Sequence, residues 1–446
     1  MFFRTAIKDL ENWRVKSHRK PLVLRGARQV GKTTLVDEFG KQFPNYIKLN
    51  LERHNQAELF NLDIPMKQLV STLFAVVGKK RNPGDTLLFI DEIQNSPQAM
   101  AKLRYFYEDA PELHVIAAGS LLENIVDVKS SFPVGRVEFM ALRPCSFIEF
   151  LGAIGEETLV DLLSLPDVAT TMHDRLMSLV NTYAIVGGMP EAVQRYSETL
   201  DLLAVDEVFE SLLQGYRDDV EKYTLKNKLT DVVRYILTHG WCFSAERIKL
   251  NKFAESDYNS KVVGEAFSLL HKAMLAELAY PSTSLGFPAL PNLSRSPKLL
   301  WLDTGIVNYK SSVRRDILGS KDITDIWRGR IGEQLVAQEI LTLDKSIGAE
   351  RMFWIREKHQ SSAEIDFLYT YNNTVIPIEV KTGNNAHLNS LHAYVDDTKC
   401  KLAIRVWGQP YSKNQLVSKQ NKNPFTLINL PYYMLNQLRQ IIEEHV

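Results

Sequence analysis

The sequence predicts an α/β fold built on a parallel sheet, then a mainly helical part, then a second α/β part. Three observations predict it. A glycine-bounded loop, Gly26-Ala27-Arg28-Gln29-Val30-Gly31-Lys32-Thr33-Thr34, sits between the apolar run Leu22-Val23-Leu24 and a helical pattern with Leu35, Val36 and Phe39 on one face. Thr86-Leu87-Leu88-Phe89-Ile90-Asp91-Glu92 is apolar almost throughout and ends in two acids, as a parallel strand buried on both faces does. Near the C-terminus, two strand-like runs carrying acids, Glu364–Tyr369 and Val375–Lys381, flank Asn372-Asn373.

The bulk properties set limits. A chain of 446 residues has room for two or three domains, and 45% hydrophobic with 24% charged residues is enough to bury full cores. The net charge is +0, so the molecule as a whole has no pull towards nucleic acid, and any such affinity must come from local patches. Cys145, Cys242 and Cys400 lie far apart, in no metal spacing, and suit a reducing cytoplasm. The start, Met1-Phe2-Phe3-Arg4, turns charged too soon for a signal peptide, and no apolar run is long enough to cross a bilayer. A cytoplasmic protein with no membrane partner is expected. No internal repeat or low-complexity tract is visible.

The glycine loop fits the phosphate-binding pattern G-x-x-x-x-G-K-[ST] without a mismatch. Its glycines let the backbone wrap a triphosphate, with N–H groups and a helix N-terminus facing the negative charge. Residues Gly26 to Thr34 are therefore expected to bind ATP. Lys32 would neutralise the β- and γ-phosphates, and Thr33 would ligate Mg²⁺. Residues Ile7 to Trp13 suit an amphipathic helix, and Tyr46 to Leu51 a second strand. Asp91, at a strand's C-terminal end, would hold Mg²⁺ through water, and Glu92 would orient or deprotonate the attacking water.

Val115-Ile116-Ala117-Ala118-Gly119-Ser120 reads as another buried strand. Ser120 could sense the γ-phosphate or cap a helix, and the two roles are compatible. Gly135-Arg136 precedes the strand-like Val137 to Leu142. Arg136 could reach a γ-phosphate in its own or a neighbouring subunit, or form a structural salt bridge. Ser146-Phe147-Ile148-Glu149 is a capping box, and mostly helical sequence runs from it to about Tyr183, suiting a lid.

The glycine loop, Asp91-Glu92, Gly119-Ser120-Leu121-Leu122, Gly135-Arg136 and Gly187-Gly188-Met189-Pro190 together resemble one group of prokaryotic AAA-type ATPases with an appended C-terminal domain. The resemblance runs from about Ile7 to about Asn385. It implies that the Gly-x-Pro step contacts the nucleotide, which makes Gly188 and Pro190 candidates. A rigid turn there could cover an adenine, or it could simply join the lid to the next domain.

From about Asp218 to Asp303 three helices are expected: Leu229 to Leu237, Ser244 through about Phe253, and one beginning at Ser260. A Pro- and Ser-rich stretch, Pro281 to Pro297, then leads into the strand-like Lys298-Leu299-Leu300-Trp301-Leu302. Three helices and a β-wing make the winged-helix plan. Arg247, Lys249, Lys252 and Lys261 make it locally basic, which permits DNA contact through the third helix. A hinge or a protein-docking surface is the other reading.

In the last part, a two-residue turn at Asn372-Asn373 puts Tyr371 opposite Thr374, Asp366 opposite Glu379 and Glu364 opposite Lys381, all four on one face. A bulge at Pro377 would shift this register. Opposed carboxylates repel unless something neutralises them, and a divalent metal would. Asp366, Glu379-Val380-Lys381 and Glu333, on a helix from about Ile326 to Leu341, resemble the PD-(D/E)XK nuclease signature, with Ile365 in place of the usual proline. The resemblance implies Glu333, Asp366 and Glu379 as metal ligands, a second Mg²⁺ or Mn²⁺, and Lys381 beside them in catalysis.

The whole reads as three domains: 1–200 for ATP binding with a helical lid, 205–303 winged-helix, and 304–446 nuclease-like. The expected function is Mg²⁺-dependent ATP hydrolysis acting on, or regulated by, nucleic acid. The alternative is a nucleotide-gated switch that binds a protein partner through an inert nuclease-like domain. Oligomeric state is left open.

Overall fold

The computed structural model describes the chain apart from residues 1–2, 120–134, 164, 166–170, 224–226, 312–328, 357–362 and 382–386. Two compact units result: residues 3–143 with 345–348, and residues 144–344 with 349–446.

The first unit is built on five strands, β1 (Leu22–Arg25), β2 (Asn45–Asn50), β3 (Thr86–Asp91), β4 (His114–Gly119) and β5 (Glu138–Ala141). They pair in the order β2-β3-β4-β1-β5, every neighbour parallel. Alternation sends Val23, Leu88, Ile90, Val115 and Ala117 to one face, against helices Met66–Val76 and Pro97–Asp109. Leu22, Leu24, Leu87, Phe89, Ile116 and Ala118 go to the other, against helices Ala6–Arg14 and Lys32–Gly40. Both faces are covered, which is why the central strands β1, β3 and β4 are mostly apolar and buried. Because all strands run the same way, the ends of β1 and β3 meet at one edge of the sheet, where ligands gather in such folds. Residues 345–348 belong to this unit. Ala141 N donates to Lys345 O at 2.8 Å, and Arg143 Nη2 to Ser346 O at 3.1 Å.

The second unit begins with helices Phe147–Ala153, Glu157–Leu163, His173–Val186 and Pro190–Thr199. These are the helices read above as a lid. Glu339, on helix Arg330–Thr342, ties them down. It accepts from Phe147 N at 3.0 Å and from the Tyr183 hydroxyl at 2.8 Å. Helices Asp206–Tyr223, Asn227–His239 and Ser260–Lys272 follow.

The helix expected from Ser244 to Phe253 does not form. Ala245 and Lys252 have φ of 56° and 54°, which no helix tolerates. The segment instead spends its backbone on a strand: Ala245 N donates to Leu299 O at 2.7 Å and Ile248 N to Pro297 O at 2.9 Å. That strand, β8 (Lys298–Trp301), pairs antiparallel with β6 (Ala276–Ala279). Trp301 stacks on Trp241 with ring centroids 3.9 Å apart.

A mixed seven-stranded sheet completes the unit. Its members are β7 (Pro281–Ser282), β9 (Met352–Ile355), β10 (Glu364–Tyr371), β11 (Thr374–Lys381), β12 (Leu402–Trp407), β13 (Ser412–Val417) and β14 (Pro424–Pro431). They run in the order β13-β14-β12-β11-β10-β9-β7. Among the described residues no helix is long and apolar enough to cross a membrane.

Candidate nucleotide site and carboxylate cluster

The loop after β1 has the backbone its glycines permit. Gly31 has φ 92° and Gln29 φ 61°, and the helix starts at Lys32. A Cβ on Gly26 would lie 2.6 Å from the Leu142 carbonyl oxygen, so only glycine lets the loop pass β5's continuation. Lys32 is buried, and its ammonium donates to Gly26 O and Ala27 O, both at 2.9 Å. The Thr33 hydroxyl donates to Asp91 Oδ2 at 2.8 Å, joining the loop to the end of β3. Glu92 follows in a left-handed conformation, φ 53°, and its carboxylate is gripped by the Gln94 amide. Burial raises the pKa of both Asp91 and Glu92. The Thr33 hydrogen bond opposes this at Asp91, and the Gln94 hydrogen bond opposes it at Glu92. Sequence reasoning passed over Gln94. Its only signal is its place two residues beyond the acid.

The donor set fits a magnesium–polyphosphate. It combines a helix N-terminus, an ammonium, a hydroxyl on a carboxylate, and a second carboxylate beside them.

The second constellation lies wholly in the larger unit. The hairpin register is the one expected: Tyr371 opposes Thr374 and Phe367 opposes Ile378, with Asn372 and Asn373 at φ 43° and 62°. Val380 N donates to Asp366 Oδ2 at 2.7 Å. The irregularity is not at Pro377. It falls between Ile365 and Leu368, where β10 pairs with β9.

A lysine lies among the acids expected to hold a divalent metal. Lys298 Nζ lies 2.9 Å from Glu333 Oε2, 2.8 Å from Glu364 Oε1 and 3.4 Å from Asp366 Oδ1. Lys298 is 3% exposed, and the three carboxylates hold its pKa above the ordinary lysine value against the pull of burial. Lys381 pairs with Glu379 Oε1 at 2.5 Å. Among the described residues no group of acids, histidines or cysteines is disposed to hold a metal ion. Glu333 and Asp366 thus meet around the Lys298 ammonium, and Glu379 pairs with Lys381. Burial and the neighbouring Asp366 push Glu333 up to about 8 and Glu379 up to about 7. Lys298 carried one signal in the sequence: a lysine heading a strand that is otherwise apolar.

The parallel sheet and the Thr33–Asp91 junction decide the first unit. Residues 18–151 match the family described as AAA domain. That stretch is thus similar to an AAA domain. Residues 177–316 and 328–433 match two further families, each described as a domain of unknown function (DUF8612 and DUF4143). No curated protein matches the chain. Among solved structures it is similar to the Walker-type ATPase PABY2304 of Pyrococcus abyssi, at 14% identity over 70% of this chain and 96% of that one, TM-score 0.40. It is also similar to C. elegans PCH-2, at 10% identity over 46% and 69%, TM-score 0.29. Unliganded Pif1 from a Bacteroides species matches at 16% identity over 37% and 49%, TM-score 0.21. TM-scores this low carry no argument about fold or role.

Arg136 lies at the end of the sheet away from the phosphate loop. It precedes β5, whose start aligns with the start of β1, Leu22 opposite Glu138. The phosphate loop follows the other end of β1, so four residues of strand, roughly 13 Å, intervene. There Arg136 Nε donates to Glu108 Oε1 at 2.8 Å. Ser120 lies outside the described residues. Gly188 and Pro190 belong to the larger unit. Gly188 N donates to Asp303 Oδ2 at 2.6 Å, a Cβ on Gly188 would collide with the Cys145 carbonyl, and Pro190 opens helix Pro190–Thr199.

Proposed function

We propose that the protein is a Mg²⁺-dependent ATP hydrolase whose nucleotide cycle acts on, or is regulated by, nucleic acid. The single observation that carries the ATPase reading is the Thr33–Asp91 hydrogen bond at 2.8 Å, with Glu92 next in the chain. Residues Gly26 to Thr34 would cradle the triphosphate. Lys32 would trade its two loop carbonyls for β- and γ-phosphate oxygens. Thr33 and Asp91 would hold Mg²⁺, which supplies charge neutralisation at the phosphates when bound. Glu92 would take the proton of the attacking water, and its burial-raised pKa suits a base. Gln94 holds Glu92, so it must yield for that proton to move. Ser120 would sense the γ-phosphate, and Arg136 would act only on a neighbouring subunit's nucleotide. Gly188 and Pro190 are proposed as a structural junction.

The nucleic-acid reading is supported by Lys249, Lys252 and Lys261, all exposed around helix Ser260–Lys272 and the β6–β8 pair, in keeping with a winged-helix domain at 205–303. Arg247 contributes less, since it faces Glu364 at 3.7 Å. The chain would divide as 1–200, 205–303 and 304–446 and work in the cytoplasm. A second reading, a nucleotide-gated switch docking a protein partner, is favoured by Lys298, whose ammonium among the acids would leave a nuclease-like part inert. The test is to incubate the purified chain with ATP, DNA and Mg²⁺ or Mn²⁺, following phosphate release and DNA integrity. DNA-stimulated phosphate release supports the first reading. ATP turnover indifferent to DNA supports the switch, and no turnover at all removes both.

A further inference from the structure

The carboxylate cluster of the larger unit has a chemistry of its own. Four acids converge: Glu333 from helix Arg330–Thr342, Glu364 and Asp366 from β10, and Glu379 from β11. Such a set attracts a cation. Lys298 supplies one from β8, an element outside both the helix and the hairpin. Its backbone is fixed on two sides, opposite Ala279 in β6 and bridged to Arg247. Its ammonium sits 4.9 Å from the Phe353 ring centroid and reaches three of the four acids. Lys381 satisfies one oxygen of the fourth. Two buried polar atoms remain without a partner, Glu379 Oε2 and the Tyr432 hydroxyl, and Tyr432 lies within electrostatic reach of Asp366 and Glu333. The acids and the spare hydroxyl are thus gathered around an ammonium, in a disposition set by Lys298.

We propose that Lys298 is the resident cation of this cluster, so that the folded protein excludes divalent cations there, and that a cation of the Mg²⁺/Mn²⁺ class enters once the ammonium is removed. The charge balance explains the exclusion. A divalent ion in contact with these carboxylates would lie beside a buried ammonium, and like charges are poorly screened away from water. Lys298 cannot swing out, because its strand is paired and its stem is enclosed. Removing the ammonium leaves four acids against Lys381 and the more distant Arg247, which favours either protonation or capture of a metal. This inference does not rest on the ATPase reading, since it concerns the larger unit alone.

The test uses the full chain without nucleotide and Mn²⁺ as the probe. Bound Mn²⁺ is read from the loss of the free-ion resonance, and stability from thermal melting. Wild type and Glu379→Gln should give the same Mn²⁺ response, because the cluster takes no metal in either. Lys298→Ala should melt roughly 10 °C lower in chelator, having lost one partner of a buried ionic cluster. Millimolar Mn²⁺, but not the same concentration of Na⁺, should restore much of the loss and add one binding site, and Glu379→Gln in the Lys298→Ala background should abolish both. A wild-type Mn²⁺ site that disappears in Glu379→Gln would overturn the proposal. So would a folded Lys298→Ala that acquires no Mn²⁺. If Lys298→Ala does not fold even with Mn²⁺, the wild-type and Glu379→Gln comparison decides alone.

Discussion

Lys32 opens its helix, and its ammonium turns back onto two carbonyls of its own loop. That posture puts a buried cation inside the loop. Lys32→Ala should therefore abolish tight ATP binding. A charge-assisted hydrogen bond of about 1.5–3 kcal/mol corresponds to a loss of roughly 10- to 150-fold, measured by nucleotide titration. Unchanged affinity would contradict the role. Gly188 tests a different kind of dependence. Its N–H is held by buried Asp303, and the Cys145 carbonyl occupies the space a side chain would need. Gly188→Ala should cost at least about 2 kcal/mol, seen as a melting point several degrees lower. Full stability would leave Gly188 free for a nucleotide-contacting role. At this scale the sequence was informative wherever a short motif carries a mechanism, as from Gly26 to Thr34. It gave only a faint signal at Lys298 and Gln94, whose partners are set by tertiary placement or by an unusual backbone at Glu92.

Elements were legible when their signal was local. The Asn372-Asn373 turn, both residues at positive φ, fixes the hairpin register without help from the rest of the chain. The apolar runs of β1, β3 and β4 announce strands covered on both faces. The segment from Ser244 to Phe253 misled for the converse reason. Its Ser suits a helix cap, yet β8 offered better backbone partners, and that competition is invisible in ten residues of sequence. The β10 irregularity was missed likewise, since β9 is its other neighbour. The same long-range logic gives a prediction. Arg351, at the entrance to β9, meets Glu277 of β6 through Nε at 2.9 Å and Nη2 at 2.7 Å, and its own N–H donates to the same carboxylate at 2.6 Å. Both side chains are buried. Arg351→Met alone should destabilise the protein by about 3–5 kcal/mol, because Glu277 is left charged without its counter-ion. Adding Glu277→Leu should recover much of that. Denaturant unfolding of the single and double variants measures it, and additive losses would show that the pair is not a unit.

Over the whole molecule, composition indicated ordinary cores and a balanced charge, but nothing in it says that residues 345–348 belong with the first unit or that the helices after Ser146 belong with the second. Those helices are joined to Glu339 and Asp303, two buried carboxyls whose pKa values burial raises to about 7 and about 6. The folded state thus binds protons that the unfolded chain releases near pH 4. Their stabilising contribution is complete below that pH and declines as pH rises through about 6 to 7. For Glu339 the change is about 3 kcal/mol at most. Melting curves from pH 5 to 8 should therefore fall more steeply in wild type than in Glu339→Gln, and parallel curves would contradict the assignment.

The central claim is that the loop after β1 and the acids after β3 form a working ATPase site, and one pair of measurements on Glu92→Gln addresses it most directly. The amide preserves shape but cannot accept the proton. ATP affinity should stay within a few-fold of wild type, while phosphate release in Mg²⁺ falls by of order 10²–10⁴-fold. Wild-type turnover in Glu92→Gln would contradict the account, and would return Glu92 and its Gln94 partner to a purely structural role.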